Sequence, residues 1–130
     1  MSRPSPFLTL GAALAGCAAP SPHAVVGSGK LIHVVAFWLK PGAPADLVTR
    51  MRDFYVTRVA REVAGVENVW VGRPQPSDRS VVDASFSCMS IVRFAGAAAE
   101  VGWQTHPVHD ELKKLFEAHL ERVVVYDFVE

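Results

Sequence analysis

The residues that could do chemistry in this chain are histidines and aromatics. His106-Pro107-Val108-His109 sets two imidazoles at the start of a helical pattern, and His33 alternates with Val35 and Phe37 in an apolar run. An imidazole at the rim of an apolar surface can be tuned to titrate near neutral pH, which suits a general base. On a helical wheel begun at Val108, the apolar arc centres between Leu112 and Phe116. His109 falls at its edge, beside Phe116 and Leu120, where it can look into a space beneath the helix. His109 and His33 are therefore the candidate catalytic residues. Tyr55, Trp103 and Phe116 are the aromatics that would wall such a space or, more simply, fill the core. The competing reading of the His-Pro-x-His segment is structural, a helix-start histidine fixing its own turn.

Other chemistries lack their residues. A metal would need His106 and His109, with His33 as a third ligand. No cysteine or paired carboxylate completes that set, so no metal is expected. Ser85, Ser87 and Ser90 lie in a strand pattern without the Gly-x-Ser-x-Gly turn of a serine hydrolase. Phosphate-binding glycine loops are missing too, and no cofactor is expected. His119 falls in the apolar stripe of the last helix and reads as a core histidine. Cys88 reads as a small buried hydrophobe.

The elements that must position these residues follow from periodicity. Leu31–Lys40 is a β-branched and aromatic run ended by Pro41-Gly42, a strand apolar on both faces. Leu47, Met51, Phe54, Tyr55 and Val59 recur at helical spacing up to Gly65. Strands are then predicted over Val66–Arg73 and Val81–Phe94. A short helix over Gly96–Gln104 and a second one from Pro107, a residue suited to a helix's first turn, come next. Arg122–Val129 is the last strand. The order β-α-β-β-α-β, with the second helix in two pieces, favours an α+β sandwich of the ferredoxin-like type: an antiparallel sheet with helices on one face. Its other face would still carry apolar residues, and the economical cover is a second copy, a homodimer.

The 130 residues carry 13 basic and 13 acidic side chains, and 50% are hydrophobic. Arg50, Arg52, Arg58 and Arg61 are interleaved with Asp46, Asp53 and Glu62, a solvated helix face rather than a nucleic-acid footprint. The N-terminus does not look like part of a fold. Arg3 precedes an apolar run from Phe7 to Gly16, the length of a signal-peptide core and too short to span a bilayer. Leu14-Ala15-Gly16-Cys17 resembles a bacterial lipobox. The expected organisation is a signal peptide over residues 1–16, lipid on Cys17, a flexible tether over 17–29 holding an inert His23, and a domain over 30–130. The expected location is the cell envelope outside the cytoplasm, reached by export and held through the lipid anchor.

His33-Val-Val-Ala-Phe-Trp-Leu-Lys-Pro-Gly42, Val71-Gly72-Arg73, Asp83, His106-Pro-Val-His109 and Val124-Val-Tyr-Asp127 together resemble the stress-responsive α/β-barrel (Dabb) family. The resemblance implies a ferredoxin-like protomer and a dimeric α/β barrel. One plant member of that family closes a linear polyketide without metal or cofactor. Its catalytic histidine corresponds to His109 and a strand-one histidine to His33, but its catalytic tyrosine falls on Trp103. Trp has an N–H and no ionisable hydroxyl, so that mechanism does not transfer intact. The leading expectation is an exported dimer that binds a small apolar molecule. The alternatives are a cofactor-independent lyase or cyclase with a histidine base, and a purely structural envelope stress protein.

Overall fold

The computed structural model describes residues 29–130; the expected signal segment, Cys17 and His23 lie outside the described residues. The elements run β1 (Leu31–Leu39), α1 (Leu47–Phe54), a π turn (Tyr55–Val59), α2 (Ala60–Glu62), β2 (Val66–Gly72), β3 (Cys88–Phe94), α3 (Ala97–Gln104), α4 (Pro107–Phe116), a 3-10 turn (Glu117–His119) and β4 (Leu120–Val129). The strands form one antiparallel sheet in the order β2-β3-β1-β4. This is the ferredoxin-like α+β fold.

Register decides which side chains meet. His33 of β1 lies opposite Val92 of β3 and Asp127 of β4, and Val35 opposite Ser90 and Val125. Directly opposed residues share a face, so these point to the same side as Leu31 and Phe37. The helices cover that side. Leu47, Met51, Val59, Cys88, Val92 and Phe94 are fully buried there.

The apolar positions of the long helical segment are spaced by four: Leu47, Met51, Tyr55 and Val59. In a straight α-helix each four-residue step turns about 40° past the last, roughly 120° over the three steps. The wider π turn at Tyr55–Val59 takes up that drift, and all of these residues reach the core. π turns of this kind recur at functional sites, and Tyr55 opens this one. Gly65 then reverses the chain at φ +80°, where a Cβ would collide with Ala99.

The third strand is seven residues long and begins at Cys88, not at Val81. Its neighbours run out: β1 pairs with β3 only as far as Phe37–Cys88, and β2 ends opposite Met89. Upstream, Arg79–Val82 closes a turn and the Asp83 carboxylate accepts the Ser85 amide, so the β-branched Val81 and Val82 sit in an exposed loop. His119 also departs from expectation. It lies partly exposed in the 3-10 turn, outside the core cluster, because helix α4 stops at Phe116 and the apolar stripe stops with it.

The helix-free face of the sheet is apolar, as the alternation requires. Trp70, Ile91, Val34 and Tyr126 form one row across its four strands. Trp70 is 51% exposed and Tyr126 62%.

Candidate functional site

Between the sheet and α4 lies a cavity of about 330 Å³. It exists because β4 is an edge strand that the helices do not fully cover. Val123 and Val125 point to the helix side yet remain 41% and 47% exposed, and they form its floor. His33, His109, Tyr55, Trp103 and Phe116, drawn from four elements, all line it.

The His-Pro-x-His segment divides its labour. His106 is the helix N-cap: its Nδ1 accepts the Val108 amide at 3.1 Å, with Pro107 in the first turn. The turn-fixing role thus belongs to His106, which leaves His109 free for the cavity. The Nδ1–H of His109 donates to the Gln104 carbonyl at 3.2 Å, a tautomer assigned from that acceptor, so Nε2 keeps its lone pair. The imidazole packs against Trp103 with centroids 4.5 Å apart and the ring planes tilted by 41°. Desolvation pushes its pKa below the ordinary histidine value. The Gln104 carbonyl partly opposes that, while Lys113 and His33 add to it. His109 is therefore a neutral base at pH 7.

His33 is 5% exposed, and its Nδ1 lies 2.7 Å from Asp127 Oδ1. The imidazole meets the Phe94 ring in a T-shaped contact, with centroids 6.1 Å apart. The Tyr55 hydroxyl accepts from Ser90 Oγ at 3.1 Å. Burial, with the nearby Cys88 adding to it, pushes that phenol up to about 12 against the lowering by Ser90, so it stays a neutral hydrogen-bond donor. Phe116 packs on Phe37 at 5.8 Å. The cavity thus carries two imidazoles on a mostly hydrocarbon and aromatic wall, with Gln104, Lys113 and Glu117 also lining it.

The serines have structural employment. Ser85 Oγ accepts the Trp38 indole N–H, Ser87 Oγ accepts the Leu39 amide, and Ser90 donates to Tyr55. Burial pushes the Cys88 thiol up to about 11, and its sulfur lies 3.6 Å from that of Met51, the surroundings of an inert cysteine.

Sequence reasoning missed Asp127, Gln104 and Lys113 as parts of this site. Asp127 had a signal: in β4 it shares parity with Val123, Val125 and Val129, a lone acid on an otherwise apolar face. Gln104 contributes through its main chain, which no side-chain pattern reveals.

Residues 31–130 match the family model of the Stress responsive A/B Barrel Domain, Dabb. The chain belongs to the Dabb family. Solved structures share its fold at low identity. A hydroxynitrile lyase from Passiflora edulis has a TM-score of 0.68 at 15% identity, over 80% of this Dabb chain and 95% of that one. A dimeric ferredoxin-like protein of unknown function from Bacteroides fragilis gives 0.62 at 15%, over 78% and 97%. A Dabb family protein from Mesorhizobium loti gives 0.59 at 20%, over 78% and 97%. No curated protein sequence matches this Dabb chain.

Proposed function

We propose that this Dabb domain binds a small, largely apolar molecule in the cavity beneath α4, with one polar group of that molecule received by His109. The observation that carries this reading is the cavity itself, walled by Tyr55, Trp103, Phe116 and the β4 valines, with a neutral imidazole at its rim. A cleft of some hundreds of Å³, mostly apolar with a few convergent polar groups, is the usual form of a small-molecule site. The working unit is a homodimer. The exposed row from Trp70 to Tyr126 supports this, as does the description of relatives from Bacteroides fragilis and Thermobifida fusca as dimeric. In this proposal the domain is exported and tethered by lipid on Cys17, a reading supported by the apolar Phe7–Gly16 run directly before it.

The deciding experiment takes the full chain from the cells that make it and weighs it under native and then denaturing conditions. A small organic adduct, present natively and lost on unfolding, is the expected result. An empty protein that also binds no member of a library of small aromatic and aliphatic compounds would overturn the reading.

A second reading, a cofactor-independent lyase or cyclase, is favoured by one observation: His109, whose Nε2 lone pair is unshared, lines the same cavity as His33. Such a base can take a proton from a hydroxyl or an activated carbon. The hydroxynitrile lyase of Passiflora edulis shows that this fold accommodates a lyase.

A further inference from the structure

At the α3 end of the cavity, side chains from β1, α3 and β4 converge in a way that neither reading above uses. One nitrogen of His33 and one oxygen each of Glu100 and Asp127 lie within 4.8 Å of one another. The sheet register sets two of them, since His33 and Asp127 are directly opposed on adjacent strands. Glu100 comes from the first turn of α3, which packs over β1 and β3, and it accepts a hydrogen bond from Gln104 one turn on.

Charge makes this convergence unusual. Among the described residues, neither Glu100 nor Asp127 is paired with a lysine or arginine. His33 is more than nine-tenths buried, and Asp127 is the partner of one ring nitrogen only. The other has no hydrogen-bond partner among the described residues. The imidazole lines the cavity with one nitrogen free of hydrogen bonds, beside two carboxylates that no lysine or arginine neutralises. A cation that accepts nitrogen and oxygen donors together would draw on all three groups.

We propose that His33, Glu100 and Asp127 form a site for a divalent first-row transition metal, with Zn²⁺ the representative ion. One imidazole and paired carboxylates match the mixed donor preference of such ions. Three protein ligands leave a coordination position for water or for a ligand's oxygen. His33 also lines the cavity, so the open position adjoins it. The strand register and the Phe94 ring fix the imidazole before any ion arrives.

The test uses the full chain without a polyhistidine tag, stripped with EDTA and titrated with zinc chloride by calorimetry. Thermal unfolding and native mass are recorded in parallel. The expected result is one zinc per chain and a raised melting temperature. Glu100→Gln and Asp127→Asn should each weaken binding roughly tenfold or more, since even partners that only orient a ligand are worth 10–100-fold. Glu100→Gln keeps the hydrogen bond to Gln104 in kind, so its metal-free melting temperature should match the parent. His119→Ala, away from the site, should bind zinc as the parent does. Absence of saturable binding into the millimolar range overturns the proposal, and so does stoichiometric binding that neither carboxamide variant weakens. Glu100 does not line the cavity, so loss of zinc in Glu100→Gln with organic-ligand binding intact separates this proposal from the cavity reading.

Discussion

The imidazole of His109 is tied by its Nδ1–H to the main-chain carbonyl of Gln104, across the break between α3 and α4. The break matters: a continuous helix would have spent that carbonyl on a main-chain amide. Because the second helix is in two pieces, the last residue of α3 orients a side chain in the first turn of α4.

His109→Ala should therefore separate function from stability. The side chain is partly exposed, and its net hydrogen bond is worth about 1 kcal/mol. Ligand binding, or turnover under the second reading, should be lost while the melting temperature falls by only a few degrees. Differential scanning fluorimetry beside a binding assay checks both. A collapse in stability would return His109 to a packing role.

The pH dependence follows from the direction of its shift. Folding lowers the His109 pKa, so the unfolded chain takes up its proton first as pH falls. The stabilising contribution is fully present above the ordinary histidine value near 6.5 and is lost as pH drops through the lower folded value. The melting temperature of the parent should thus fall more steeply than that of His109→Gln below about pH 6.5. The two should run parallel above it. A ligand that needs the Nε2 lone pair should dissociate over the same acid range.

Tyr55 and Ser90 form a buried polar pair and should behave as one unit. Tyr55→Phe strands the Ser90 hydroxyl in the core, at a cost of about 1–3 kcal/mol. Removing both hydroxyls, as Tyr55→Phe with Ser90→Ala, should cost less than the sum of the single changes. A chemical-denaturation double-mutant cycle measures that coupling, and simple additivity would mean that the hydroxyls are independent.

Much of this fold was legible because burial imposes a period. The alternation in Leu31–Leu39 and the spacing from Leu47 to Val59 both reflect one covered face, and the structure follows them. The failures occurred where pairing, not propensity, decides. Val81 and Val82 are good strand residues with no strand beside them, and a sequence does not reveal where a neighbour ends. A helical wheel carries His119 into the apolar stripe, but the helix itself stops at Phe116. The site was visible as residue types but not as contacts. No sequence pattern marks Glu100, because its nearness to His33 and Asp127 is set by how α3 lies on the sheet.

Gly65→Ala should destabilise the domain by roughly 1–3 kcal/mol through left-handed backbone strain, and further by overlap with Ala99. Gly42→Ala provides the comparison. Its φ is +83°, but nothing lies within 4 Å of the added carbon, so only the backbone component remains. Equal losses at the two positions would show that the Ala99 contact is unimportant.

Tyr126→Glu, alone or with Trp70→Glu, should convert the proposed homodimer to monomer in sedimentation analysis without unfolding the domain, since both residues are exposed on the helix-free face. An unchanged sedimentation coefficient would place assembly elsewhere.

The π turn at Tyr55–Val59 gives the first helical segment something usually associated with strands, a reading frame. Exchange of Thr57 or Arg58, both facing away from the core, leaves that frame intact. Deleting either one removes the extra residue that the wide turn accommodates. The turn then either tightens and keeps its phase or swings Val59 and everything after it around the axis by about 100°. Along this helix, length is constrained more tightly than composition, and relatives that differ here should do so by substitution, not by gaps.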